Sequence, residues 1–386
     1  MPAQVDPARA IPVTVLTGFL GAGKTTLLNR LLRQPALADA AVLINEFGEI
    51  GIDHHLVDKI DDKLVLLDSG CLCCSVRGDL ARALRDLFMR RLRREIPPFS
   101  RVLIETTGLA DPAPVLSTLL EDFFIAERYR IDGVVAAVDA THAGGQLARH
   151  FEAVKQVAMA DRLLLTKCDL ATPEQIAQLA RRLARINPGA PQIEVRDGAI
   201  DAERVMGCGL YDPRTKSADV GRWLAEEKVR GAAAAALAET AATGGAGGAG
   251  GAGGAGGAEG GAASGAHAHA HDPNRHDALV HAFVLRFAQP FRWPEFAEAL
   301  DVLLATCGDR ILRVKGLVHV AGEDAPRVVH CVQHVRYPEA ALPAWPDAAR
   351  DSRIVFIVRG LARHIVEKAF VMFCAAEVTV DAEGAE

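Results

Sequence analysis

The sequence predicts an α/β molecule in two parts: a parallel sheet covered by helices on both faces, followed by a smaller α+β unit. Three observations carry this expectation. From residue 11 to about 195, short apolar strand-like runs alternate with helical patterns, the rhythm of a parallel sheet buried on both faces. Gly18-Phe19-Leu20-Gly21-Ala22-Gly23-Lys24-Thr25-Thr26 fills every fixed position of the phosphate-cradling spacing G-x-x-x-x-G-K-[ST]. Finally, residues 231–266 are almost only Gly and Ala, with a G-G-A rhythm that cannot build a core and so divides the chain.

Taken in order, residues 13–16 form a short β-rich run, the glycine loop follows, and 27–32 have the spacing of an amphipathic helix. A glycine-rich turn matching by chance would not need these flanks. In such a loop Gly18, Gly21 and Gly23 let backbone N–H groups turn onto phosphate oxygens, with Ala22 and Thr26 contributing from the same stretch. The helix N-terminus adds partial positive charge. Lys24 is expected to reach the β- and γ-phosphates, and the Thr25 hydroxyl to ligate Mg²⁺. Residues 41–44, 64–67, 102–104, 134–138 and 163–165 are the later strands. The loop 45–53, which contains Glu46 and Glu49, follows the second. The loop Asp68-Ser69-Gly70-Cys71-Leu72-Cys73-Cys74 follows the third. Ligands of open α/β sheets bind beyond the carboxyl ends of strands, so both loops are expected on the nucleotide side.

Glu105 ends an apolar strand and is followed by Thr106-Thr107-Gly108, where an acid holds Mg²⁺ or its water and the glycine swings when the γ-phosphate leaves. The plainer alternative is a cap on a helix starting near Asp111-Pro112. Thr166-Lys167-Cys168-Asp169 ends a strand two strands later. An aspartate there accepts two parallel hydrogen bonds from guanine N1–H and its exocyclic amine, which selects GTP over ATP.

The 386 residues carry a net charge of −6, and no clustered basic face marks a nucleic-acid groove. No stretch has the length and apolarity of a membrane span, and no signal peptide opens the chain, so the expected location is cytoplasmic. In that reducing setting the eight cysteines are thiols or metal ligands rather than disulfides. Cys71, Cys73 and Cys74 place three soft thiolates within four residues, donors that favour Zn²⁺ or other late transition metals over Mg²⁺. A fourth ligand would come from Glu46 or Glu49, from water, or from another protein. The bland reading is a reduced or packed cysteine cluster. Burial is the expected role of the isolated Cys168, Cys208, Cys307, Cys331 and Cys374, and a structural role that of His319, His330 and His334.

The division of the chain follows from the Gly/Ala tract. Residues 1–230 form the nucleotide unit. Residues 231–276 form a flexible linker, whose roughly thirty Gly/Ala residues reach about 30 Å and which ends in His267, His269 and His271. These three imidazoles suit loose collection of metal, or simply a solvated linker end. Residues 277–386 form the second unit, with strands at 279–287, 311–320, 327–335 and 353–358 and helices at 293–305 and 363–373.

Together the phosphate loop, the 45–53 loop, Gly70-Cys71-Leu72-Cys73-Cys74, Glu105-Thr106-Thr107-Gly108 with Ala110-Asp111-Pro112, and Thr166-Lys167-Cys168-Asp169 resemble the CobW-like family of metal-handling P-loop GTPases, in particular its zinc-chaperone branch. The resemblance extends to the C-terminal unit and covers nearly the whole chain. One position departs from the common GTPase pattern, Thr166 standing where many have Asn. The resemblance implies GTP and Mg²⁺ as cofactors and Zn²⁺ bound at the C-x-C-C loop, delivered to a client metalloprotein during GTP turnover. It implies neither a nucleic-acid nor a membrane partner and sets no oligomeric state. Co²⁺ delivery for cobalamin synthesis, a passive metal buffer and a small-molecule kinase are the alternatives.

Overall fold

The computed structural model describes residues 10–44, 64–66, 76–208 and 279–374, with residues 64–66 and 76–77 described by backbone alone. Glu46, Glu49, Cys71, Cys73, Cys74, the Gly/Ala tract, His267, His269 and His271 lie outside the described residues.

The first sheet has seven strands: β1 (Ile11–Gly18), β2 (Ala40–Ile44), β3 (Leu64–Leu66), β4 (Arg101–Glu105), β5 (Tyr129–Asp139), β6 (Arg162–Thr166) and β7 (Gln192–Glu194). Their order is β3-β2-β4-β1-β5-β6-β7, and every pair is parallel. The helices between them are α1 (Lys24–Leu32), α2 (Val76–Leu92), α3 (Ala113–Glu121), α4 (Phe123–Ala126), α5 (Ala143–Arg149), α6 (Phe151–Met159) and α7 (Pro173–Ile186). Both faces are covered, as the unbroken apolar strands require. Val13 and Val15 pack with α2 and α3, Leu163 and Leu165 with α6 and α7, and Leu16, Val42 and Leu164 lie on the opposite face with α1. The sequence reading passed over β7, whose three residues carry too little pattern to separate it from a loop.

The second sheet is built from β8 (Val280–Phe287), β9 (Ile311–Val318), β10 (Arg327–Val332), β11 (Val335–Arg336), β12 (Ala340–Ala341) and β13 (Ser352–Arg359), with α8 (Trp293–Cys307) and α9 (Arg363–Cys374). Its pairings are antiparallel. The strand expected over 327–335 is a hairpin, because Gln333 takes a positive φ of 49° and reverses the chain after Val332. His334 therefore sits in the turn, its Nδ1 donating to Leu304 O (2.8 Å), rather than on a strand. His330 is buried on β10 and stacks on Tyr337. Cys168 and Cys331 are buried as expected, whereas Cys208, Cys307 and Cys374 are only half-buried.

Alternate residues of β8 divide between two cores. Phe283, Leu285 and Phe287 pack against α8 and α9, while Val280, Ala282 and Val284 join the core of α6 and α7 in the nucleotide unit. The second sheet is thus apolar on both faces, and one of them closes directly on the first unit. At that junction a polar cluster is enclosed. Asp161, its side chain 1 % exposed, pairs with Arg313 and with Lys315 (3.3 Å), and Arg313 also donates to Met159 O. No helix among the described residues is long and apolar enough to cross a membrane.

Candidate functional site

The site assembles at the carboxyl edge of the first sheet, where β1 lies between β4 and β5. Gly18 ends β1 with φ 140°, and a side chain there would strike the backbone of Ala137 on β5. Only glycine lets the chain leave the strand so close to its neighbour. Gly21 and Gly23 also take positive φ, at 73° and 83°. Gly23 caps α1 without any side-chain hydrogen bond, so the first N–H groups of the helix are left to an anion rather than satisfied by a Ser or Asp.

Lys24 is buried, and its Nζ donates to Gly18 O (2.9 Å) and Phe19 O (3.3 Å), which holds the ammonium inside the curve of the loop. Thr25 Oγ1 donates to Glu105 Oε1 at 2.7 Å. Two residues 80 positions apart therefore meet at one point, because β4 pairs directly with β1 in the register Leu16↔Glu105. The following helix, α3, begins after Pro112 with no side-chain cap, and Asp111 just before it accepts from Ala113 N (3.0 Å). A hydroxyl and a carboxylate side by side are hard oxygen donors suited to Mg²⁺, so this pair fits that ion.

The strand-end tetrapeptide lies beside the phosphate loop. Thr166 Oγ1 donates to Ala22 O (2.7 Å), so the departure from asparagine leaves the two loops joined by a side chain. Lys167 adopts a left-handed φ of 56°, uncommon for a residue with a side chain. Its Nζ reaches Asp139 Oδ2 at 2.8 Å. Asp139 is buried at the end of β5 and also accepts from Thr141 N (2.8 Å) and Thr141 Oγ1 (2.6 Å). Burial pushes its carboxyl up, but the hydrogen bonds from Lys167 and Thr141 outweigh burial and hold it at about 2. Asp169 is exposed and accepts from Asp197 N (2.9 Å); that bond holds its carboxyl below the ordinary range, leaving an ionised acceptor facing outward.

Three contributors escaped the sequence reading. Asp139 positions Lys167, Thr17 accepts from Thr106 Oγ1 (3.0 Å), and Gln156 on α6 donates to Gly108 O (3.2 Å) and Ala110 O (3.1 Å). No spacing rule marks a glutamine 48 residues beyond its partner. Only the ending of β5 in an aspartate gave any signal. Among the described residues no group of three or more His, Cys, Asp or Glu is arranged to hold a metal ion. The thiol loop and the His tract stand outside them.

The family profile described as CobW/HypB/UreG, nucleotide-binding domain, matches residues 12–194, and that of the cobalamin synthesis protein cobW C-terminal domain matches residues 280–374. The chain belongs to the CobW family. This CobW-family chain is similar to the zinc chaperone YjiA of Escherichia coli, 32 % identical over 360 residues that cover 93 % of the chain and 98 % of that protein. It is also similar to the zinc-regulated GTPase metalloprotein activator 1 of Schizosaccharomyces pombe, 33 % identical over 206 residues covering 52 % of the chain and 48 % of that protein. Among solved structures it resembles the crystal structure of Zn(II)-bound YjiA GTPase from E. coli, with a TM-score of 0.61, 28 % identity, and coverage of 94 % of this chain and 99 % of that one.

Proposed function

We propose that this CobW-family chain is a cytoplasmic GTPase that binds zinc at Cys71, Cys73 and Cys74 and transfers it to a client metalloprotein as GTP is hydrolysed. Residues 1–230 act as the nucleotide unit, 231–276 as linker and 277–386 as the second unit. Relatives named as zinc chaperones and as a zinc-regulated GTPase support the class. The observation that carries the reading is one of register. Ile44 pairs with both Leu66 and Glu105, so β2, β3 and β4 end together beside the Thr25–Glu105 pair. The segments that contain Glu46, Glu49 and the three thiols leave β2 and β3 at that same edge, where loops respond to the γ-phosphate.

In this reading the loop from Gly18 through Thr26, with Ala22 and Gly23, cradles the phosphates and Lys24 neutralises them. Thr25 and Glu105 hold Mg²⁺, which supplies charge stabilisation to the transferring phosphoryl group. Thr166, Lys167 and Asp169 form the base pocket. Zn²⁺ is the cargo, bound by thiolates with Glu46 or Glu49 as a further ligand, and His267, His269 and His271 gather metal loosely.

Coupling is the property that separates a chaperone from a passive buffer. Zn²⁺ affinity is expected to differ by about 5- to 150-fold between the GTP-analogue and GDP forms, and by linkage Zn²⁺ returns the same factor to analogue binding. Titration against a competing chelator in each nucleotide state measures this. Equal affinities would leave hydrolysis without leverage on the metal, and the buffer reading would replace the chaperone.

Base selection has its own test. Asp169→Asn removes the acceptor for guanine's two donors and offers an amide to a 2-carbonyl. GTP affinity is expected to fall roughly ten- to hundredfold while xanthosine triphosphate gains, by competition binding. Unchanged preference would remove Asp169 from the base site.

A further inference from the structure

One helix ties the candidate site to the second sheet. On α6, Gln156 is 1 % exposed and its amide donates to the carbonyls of Gly108 and Ala110, while the adjacent Lys155 Nζ pairs with Asp111 at 2.7 Å. Gly108 itself lies against the phosphate loop: a Cβ there would come within 2.7 Å of Leu20 Cα, so the 106–111 loop and the phosphate loop touch backbone to backbone. On the same last turn of α6 and just beyond it, Asn187 Nδ2 donates to the carbonyls of Val157 (2.8 Å), Ala158 (3.2 Å) and Ala160 (2.8 Å). Arg313 of β9 donates to Met159 O and to Asp161, which Lys315 also approaches. The loop contact at Gln156 and the second-sheet contact at Met159 therefore fall within one turn at the carboxyl end of α6, about 4.5 Å apart along its axis.

The grip on the loop is incomplete. Gln156 Oε1 and Thr107 Oγ1 are both buried and make no hydrogen bond among the described residues. Buried polar atoms rarely stay unsatisfied, and an arrangement that leaves two of them so beside one glycine is poised for another in which loop N–H groups turn toward them.

We propose that Gln156 is the positioning residue that reads the arrangement of the 106–111 loop, and that α6 transmits this reading to β9 through Asp161, Arg313 and Lys315. The inference rests on the GTPase reading above and adds to it the route by which the second unit senses the nucleotide. When the γ-phosphate draws Gly108 inward, the two carbonyls leave the Gln156 amide and a loop N–H replaces them at its Oε1. The helix then shifts along its axis against Arg313.

The test uses the full chain loaded with GDP or a non-hydrolysable GTP analogue, with amide hydrogen exchange read over residues 311–318 and steady-state GTP hydrolysis measured alongside. In the parent protein, exchange over β9 is expected to differ at least about threefold between the two states. Gln156→Met preserves the side-chain volume and removes its donor and acceptor. It is expected to abolish this difference, leave the GDP-state exchange within about twofold of the parent, and lower kcat about tenfold with KM for GTP little changed. A merely structural glutamine would instead raise exchange in both states. Lys155→Met, at a half-buried position, is expected to reduce the difference by removing the ion pair with Asp111, and it carries the test if Gln156→Met does not fold. Normal GTP hydrolysis with identical β9 exchange in both states, or a difference that survives Gln156→Met, overturns the relay alone. A parent protein that does not hydrolyse GTP overturns the GTPase reading and the relay with it.

Discussion

Lys24→Ala is expected to lower GTP turnover by at least about a hundredfold while the chain still folds. The side chain is enclosed by the loop it serves, its ammonium resting on Gly18 O and Phe19 O. Bound phosphate would compete for that ammonium, and its burial within the loop places the charge in a site of low dielectric. Removing it takes away transition-state stabilisation and leaves no buried cation behind, the carbonyls of Gly18 and Phe19 lying at the end of β1 and the start of the loop. Thr25→Ala should fail differently. Glu105 keeps its carboxylate but loses the hydroxyl beside it, so any surviving activity should require more Mg²⁺. Steady-state hydrolysis over a magnesium series separates the two, and near-parental turnover in Lys24→Ala would remove the phosphate loop from the chemistry.

The second large effect is on stability. Asp161→Asn is expected to cost about 3–5 kcal/mol, because Arg313 and Lys315 would lose the buried carboxylate they share. Denaturant unfolding followed by tryptophan fluorescence, to which Trp293 and Trp345 of the second unit contribute two of the chain's three indoles, reads the change. Replacing all three residues by Leu, Met and Met should recover most of the loss, as buried ion clusters often yield to apolar packing at little net cost. The pH dependence has a definite sign. Burial pushes the Asp161 carboxyl up, but Arg313 and Lys315 outweigh it and hold the group below its ordinary range. A depressed carboxyl contributes stability that is fully present above the unfolded value near pH 4 and is lost as pH falls toward about 2. That acid-limb loss should be smaller in Asp161→Asn. A cost below about 1 kcal/mol would mean that the junction is not held by this cluster.

What the sequence determined is whatever depends on neighbours along the chain. The glycine spacing at 18–25, the strand-then-acid at Glu105 and the strand-then-TKCD at 166–169 each require only local geometry, and the pairing of β1 with β4 on one side and with β5, then β6, on the other brought them into one site. Apolar runs too long to alternate announced a sheet buried on both sides, and the periodicities of the C-terminal elements announced a second unit. The misreadings also have local causes: β7 is three residues long, and Gln333 reverses β10 through a positive φ that its residue type does not advertise. Tertiary structure alone decided the rest. That Asp139 would hold Lys167, that Gln156 would grip the Gly108 loop, and that Asp161 would meet Arg313 across 152 residues follow from which strands lie side by side and which faces close. The alternation in β8 reveals two apolar faces but not their partners, because hydrophobic burial is non-directional and a face carries no address. The address is written in the polar atoms that must be satisfied when the faces meet, and those pairings exist only once the chain has folded.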